Sequence, residues 1–387
     1  MTRRSTLSLA ITTILLTACN GDSNNTPSDN EDNNGDNPQD EIASQRLDAS
    51  SHDSATYLNL KTGDTLALTA EEAAASTDWH LAFRRNDIKL NGGNSGPGDV
   101  AGAVGVAQSD FYTEDGSPNA SVFLNATADS EKEHLLATLS APDSWTSDAV
   151  VTEFGDAWYT YNRETHTVSA NPDNGWLLRS AEGDSYARLR VNQFDYPAAN
   201  GGAEFQFDFD VQPAGNSAFA TSASFSGTLP SSGGEACFDF DSNASVDCDT
   251  ASSWDIKVGV QERNLYLRSN SGVSGNGDAG VFGPMAWSEA KNYNSATTSP
   301  EGGDITGHYR ADTTGGIFSD QSWYAYNLQG EHQLWPNYRV YLIDTDRTDE
   351  QAPVYALQVV SYYNDAGTSG HPKVRWVDVD FQDETES

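Results

Sequence analysis

The sequence predicts an all-β fold: two tandem antiparallel β domains that follow a lipoprotein signal and a disordered acidic tether. Three observations carry this expectation. The 387 residues include 33 Gly, 16 Tyr and 9 Trp, a mixture of turn formers and strand-favouring aromatics. A set of strand-like segments occurs twice in one order, and the N-terminus has the layout of an export signal followed by low-complexity polar sequence. The length allows two domains of ordinary size, each with its own core. Lys and Arg number 21 against 57 Asp and Glu, a net charge of -36, which argues against nucleic acid or an anionic membrane surface as a partner.

At the N-terminus, Arg3 and Arg4 form a basic region and Leu7 to Leu16 an apolar one too short to span a bilayer. Leu16-Thr17-Ala18-Cys19 then has the pattern of a bacterial lipobox, so residues 1–18 are expected to be a signal peptide and Cys19 the lipidated N-terminus of the mature chain. Residues 19–54 are rich in Asn, Asp, Ser, Gly, Pro, Glu and Gln, which predicts a disordered tether. Export places Cys237 and Cys248 in an oxidising compartment, where a disulfide is expected.

The first β domain is expected over 55–230 and the second over 231–387, with a seam at Ser226 to Glu235, where Gly, Ser and Pro cluster. Each begins with a hairpin, Tyr57 to Leu68 in one and Cys237 to Cys248 in the other. Next come strands at Trp79 to Phe83 and Asp87 to Asn91, matched by Trp254 to Val258 and Asn264 to Leu267, each pair leading into a glycine loop. Trp158-Tyr159-Thr160-Tyr161-Asn162 with His166 is then matched by Trp323-Tyr324-Ala325-Tyr326-Asn327 with His332. Strands at Trp176, Tyr186 and Phe205 have counterparts at Val340, Tyr355 and Val374. So many matches in one order indicate internal duplication.

Other signals are weaker. Asp239, Asp241, Asn243 and Asp247 have the alternate spacing of a calcium loop, but Ala244 stands where such a loop wants Gly and Thr250 where it wants Glu. Gly275-Asn276-Gly277-Asp278-Ala279-Gly280 satisfies a dinucleotide-loop pattern without the strand and helix that give the pattern meaning. No hydrolase, zinc or P-loop motif is present, so no enzyme is expected.

The set formed by Trp79-His80-Leu81-Ala82-Phe83-Arg84-Arg85, the Asn91 to Gly96 loop, Trp158 to Tyr161 with Thr165-His166-Thr167, and Tyr362-Tyr363-Asn364-Asp365 with Gly367 to Gly370 resembles the HmuY-like haem-binding lipoproteins. The resemblance implies two tandem HmuY-like β domains, a lipid anchor at the outer membrane or cell surface, and capture of haem b for an outer-membrane TonB-dependent haem receptor. It also implies iron ligation by two loop side chains, His or Met, since two neutral imidazoles saturate haem iron. The candidates are His166 and His332 after the aromatic strands, with His134 and His308 upstream of each. Met285 is the remaining methionine once Met1 is removed, and His80, inside a strand, is expected to be structural or exposed. Arg84, Arg85, Arg163, Arg188, Arg190, Arg310, Arg339 and Arg375 are candidates for the propionates. The alternative is a surface binding or adhesion module on the same scaffold, without haem ligation, that recognises polysaccharide or a partner protein through aromatic residues.

Overall fold

The computed structural model describes residues 42–199, 201–261 and 264–381. Cys19, the signal segment and most of the expected tether lie outside the described residues. The chain opens with β1 (Ala43–Arg46), β2 (Thr56–Leu58), β3 (Thr65–Leu66), β4 (Leu81–Arg84), β5 (Asp87–Leu90) and β6 (Ala101–Val106). Two short helices, Ala120–Asn125 and Lys132–Leu135, precede β7 (Ala149–Val151) and the hairpin of β8 (Tyr159–Asn162) and β9 (Thr167–Ala170). Longer strands follow: β10 (Asn174–Arg179), β11 (Tyr186–Asp195), β12 (Ala203–Gln212) and β13 (Thr221–Leu229).

The order then starts again. β14 (Gly234–Asp239), β15 (Ala244–Val246), β16 (Ile256–Gln261), β17 (Asn264–Ser269) and β18 (Gly280–Ala286) correspond to β2 through β6. β19 (Thr313–Gly315) corresponds to β7, and the hairpin of β20 (Tyr324–Tyr326) and β21 (Leu334–Pro336) to that of β8 and β9. β22 (Val340–Asp344), β23 (Val354–Tyr363) and β24 (Ser369–Val379) complete the copy.

Matching strands build matching sheets, but from exchanged partners. Two four-stranded sheets run β3-β2-β4-β5 and β15-β14-β16-β17, and two five-stranded sheets run β13-β12-β11-β10-β18 and β1-β24-β23-β22-β6. β10 therefore takes its edge partner from the second copy, and β22 takes β6 from the first. The main cores follow the same division. One joins Trp158, Trp176, Phe194 and Phe207 to Phe238, Ile256 and Val281, all within residues 154–281. The other joins Leu58, Phe83 and Leu90 to Trp323, Tyr341, Leu357 and Trp376, from the two ends of the chain. β7 and β19 pair with each other between these two halves. The physical reason lies in the ladder itself: antiparallel pairing reads alternation and backbone bonds, and either copy of the edge strand supplies both.

The expected tether ends earlier than residue 54. Ala43 to Arg46 pairs with Lys373 to Trp376 as an edge strand, and Leu47 and Ala49 are buried just after it. Leu47 N–H donates to Pro372 O at 2.9 Å and Ala49 N–H to Gly370 O at 2.9 Å. An edge strand is held by backbone bonds and needs few apolar residues, so its composition passes for that of a tether.

The expected disulfide is present: Cys237 and Cys248, 11 residues apart, are bonded across the β14 and β15 hairpin. Replacing both by Ser should lower stability by about 2–3 kcal/mol, because the bridge restrains a short loop in the unfolded chain. Guanidinium unfolding of the double variant against the oxidised protein measures this.

The glycine loops serve buried asparagines. Asn91 Nδ2 donates to the carbonyls of Ser76 and Trp79 at 3.0 and 2.8 Å, and its Oδ1 accepts from Gly98 N–H at 3.0 Å. Asn270 repeats the arrangement, donating to Ser252 O at 2.9 Å and accepting from Gly277 N–H at 3.1 Å. A Cβ on Gly275 would lie 2.0 Å from Asn270 Oδ1, so the glycine pattern near 275 is required by this clamp.

Candidate functional site

Both aromatic hairpins begin with a buried tryptophan that fixes them to a core. Trp158 packs edge-on against Phe194 at 4.8 Å, and Trp323 lies 6.0 Å from Tyr362. Alternation then turns Tyr161 and Tyr326 outward, where they are 52% and 56% exposed. In the first turn Asn162 Oδ1 accepts from Glu164 N–H and Thr165 N–H at 2.9 and 3.2 Å. In the second, Asn327 Oδ1 accepts from His332 N–H at 2.8 Å. His166 and His332 both close their turns in the left-handed region, with φ of 56° and 57°.

The second turn is one residue longer, 328–332 against 163–166, yet the same contact survives. Tyr161 Oη lies 2.8 Å from His166 Nδ1, and Tyr326 Oη lies 2.6 Å from His332 Nδ1. The offset between the two histidines in sequence is thus absorbed inside the turn.

The surroundings of the two hairpins differ. His166 lines a cleft of about 1250 Å³ whose walls are β7, the β8 and β9 hairpin, the turn at Tyr196 and Pro197, and β17. Val150, Val151, Val168 and Leu265 supply apolar surface, and Tyr159, Tyr161, Tyr196 and Tyr266 supply four phenol rings. The hairpin is held in place where Val168 and Tyr196 exchange backbone bonds of 2.7 and 3.1 Å. On the opposite wall a Cβ on Gly259 would meet the Tyr266 ring at 2.0 Å, so this glycine lets the ring lie across β16. The Arg268 guanidinium sits 4.2 Å from the Tyr266 ring centre, and its buried Nε has no hydrogen-bond partner among the described residues.

Among the described residues, His332 lines neither that cleft nor the pocket beside its own hairpin. Beside its hairpin, Leu334, Trp335, Tyr362 and Tyr363 border a pocket of about 210 Å³. Phe111, Phe123 and Tyr338 form an apolar cluster with Trp335 beside it, and the helix Ala120–Asn125 contributes Phe123. Asn86 Nδ2 also donates to Tyr324 Oη at 2.9 Å, and Leu334 N–H donates to Tyr363 Oη at 3.0 Å.

The remaining candidates lie elsewhere. His134, on the helix Lys132–Leu135, is exposed and faces Glu131 at 3.6 Å. His308, in a short turn, stands edge-on to Phe282 at 5.1 Å. Neither lines the cleft around His166, and neither does His332. Of the candidate arginines, Arg188 pairs with Asp210, Arg339 donates to the carbonyls of Ala107 and Ser322, and Arg375 donates to Gln358 Oε1. Arg268 was missed by sequence reasoning, although alternation along β17 places Tyr266 and Arg268 together on the face opposite buried Leu267.

The calcium-spaced residues spend their oxygens on protein donors. Asp239 accepts from Ser242 N–H at 3.0 Å, Asn243 from Ser224 N–H at 3.0 Å, and Asp247 from Thr250 N–H at 2.8 Å. Asp241 turns instead toward Glu182 and Asp255, with carboxylate oxygens of the three within 4.8 Å of one another.

His80 and Asp255 occupy matching places in the two copies and are both buried. His80 Nδ1 accepts from Leu60 N–H at 2.9 Å, and burial holds its pKa at about 4 against an ordinary 6.5. Its contribution to stability is complete above pH 6.5 and is lost as pH falls toward 4. Asp255 accepts from Ala181 and Phe240 N–H groups at 2.7 and 2.9 Å, yet burial lifts it to about 8 from an ordinary 3.8. Its contribution is complete below pH 3.8 and is lost as pH rises toward 8. The denaturation midpoint should therefore gain a shallower acid limb in His80→Asn and a shallower decline from pH 4 to 8 in Asp255→Asn. Guanidinium titrations at intervals of pH check both.

Residues 51–210 match the family model described as HmuY protein. Among curated proteins none matches the chain. Among solved structures, the apo HmuY analogue of Tannerella forsythia is similar at 10% identity over 88% of this chain and 96% of that one, with a TM-score of 0.30. A protein described as HmuY-like and haem-binding from Bacteroides vulgatus shows 8% identity over 88% and 93%, with a TM-score of 0.32. A protein described as a lipoprotein from Bacteroides fragilis shows 14% identity over 87% and 90%, with a TM-score of 0.31.

Proposed function

From the match of residues 51–210 to the HmuY family model we propose that the chain is an HmuY-like, non-catalytic haem-binding lipoprotein. It is anchored through Cys19 at the outer membrane or cell surface, captures haem b, and passes it to a TonB-dependent receptor. The observation that carries the reading is the cleft of about 1250 Å³ around His166. Ligand sites of this kind are mainly apolar and aromatic with a few placed polar groups, typically ~300–1,000 Å³ in volume, and this cleft is ample by that measure.

The donor set fits haem. Val150, Val151, Leu265 and the four tyrosines offer surface for a porphyrin face, His166 offers an imidazole nitrogen, and Arg268, which lines the cleft, offers a positive charge for a propionate. The chemistry haem brings there is iron ligation. The His332 hairpin keeps a histidine but has only the pocket of about 210 Å³ beside it, so the reading is one haem per chain, held at His166.

Titrating the protein from Asn20 onward with hemin tests this. A Soret shift that saturates at one equivalent is expected. No shift at micromolar hemin would remove haem binding, and saturation at two equivalents would restore the His332 hairpin as a site.

A further inference from the structure

We propose that Tyr161 is the positioning residue for His166: its hydroxyl holds the imidazole through Nδ1 and leaves Nε2 as the nitrogen presented to a ligand. The inference rests on the haem reading of the cleft and adds a residue to it.

His166 is exposed at the end of a two-stranded hairpin, so nothing in its burial fixes the ring. The fixing contact is the 2.8 Å approach of Tyr161 Oη to Nδ1, with the rings 6.4 Å apart and tilted by 43°. Both residues line the cleft, and the bond occupies one ring nitrogen. With its proton on Nδ1 and donated to Oη, a neutral imidazole keeps its Nε2 lone pair for iron. Ligating histidines usually donate their other N–H to a fixed acceptor, which sets the tautomer and the ring orientation and makes the ligand more basic.

The second copy shows that this contact does not follow from one turn geometry. There the turn is a residue longer, yet Tyr326 Oη lies 2.6 Å from His332 Nδ1, with rings 5.9 Å apart and tilted by 39°. Two different turns converge on one arrangement, in which the phenol at the end of the first strand meets an imidazole in left-handed backbone. A merely exposed histidine requires neither partner.

Tyr161→Phe tests the proposal by removing the hydroxyl and keeping the ring, at a position exposed enough for the fold to tolerate the change. Hemin affinity should fall about 10–100-fold, as for other lost supports of metal-bound histidine. The reduction potential of the bound haem should rise as the imidazole loses basicity, and Tyr326→Phe should change neither quantity. In the protein without haem, carbon-13 relaxation of the His166 ring should report faster ring motion in Tyr161→Phe. Unchanged affinity, potential and ring motion would overturn the role of Tyr161 while leaving haem binding intact. Absence of any hemin uptake by the unsubstituted protein would overturn the haem reading, and the relaxation experiment would still decide whether Tyr161 orders the ring.

Discussion

His166→Ala should abolish tight hemin binding, with a loss beyond the ~10–100-fold typical when only a supporting hydrogen bond is removed. His332→Ala should leave affinity and stoichiometry unchanged. The two residues have the same backbone conformation and the same phenol partner. They differ in their surroundings: a wide cleft walled by β7 and β17 in one case, and in the other a narrow pocket packed by Phe111, Phe123 and Trp335. Single-site absorbance titrations of the two variants measure the difference. Equal losses would mean that the hairpins act alike and that the cleft does not select between them. The cleft around His166 also contains no second imidazole among the described residues. The spectrum of the ferric complex should therefore differ from that of a bis-histidine haem.

The second large effect concerns the exchanged strands. A fragment ending at residue 230 should fail to fold, although it contains a complete copy of the sequence repeat. It loses β18 from beside β10 and both β22 and β24 from beside β6 and β1. It also loses Phe238, Phe240, Ile256, Val258, Val260, Leu267 and Val281 from the core around Trp176. Each such side chain contributes about 1.5–3 kcal/mol when buried, so together they rival the ~5–15 kcal/mol by which whole domains are stable. A fragment of residues 149–312 keeps that core, its sheet and the disulfide intact and should unfold cooperatively. Circular dichroism and thermal melts of the two fragments check this. Cooperative unfolding of the first fragment would show that each repeat closes on itself.

These two results mark where the sequence is informative. Alternation and turn residues placed the hairpins and the long strands, because those signals are local. The pairing of β10 with β18 was not legible, since β6 and β18 present equivalent edges and nothing local chooses between them. The composition of Ala43 to Arg46 reads as tether because an edge strand is satisfied by its backbone. His166 and His332 stood out as residues at matching places, but the feature that separates them is long-range. The helix Ala120–Asn125 packs beside β21, and β17 lines the other hairpin at a distance. Arg268 escaped notice for a similar reason, since its relevance comes from facing a hairpin a hundred residues earlier in the chain.

The most direct test of the account is to map where hemin sits. Amide resonances of the assigned protein should be recorded with and without one equivalent of ferric haem, whose unpaired electrons broaden nearby signals. Broadening centred on residues 149–156, 159–168 and 264–268 is the predicted result, with the signals of 320–340 left sharp. Broadening centred on His332, or spread without a focus, would contradict the assignment of the haem site to the His166 cleft.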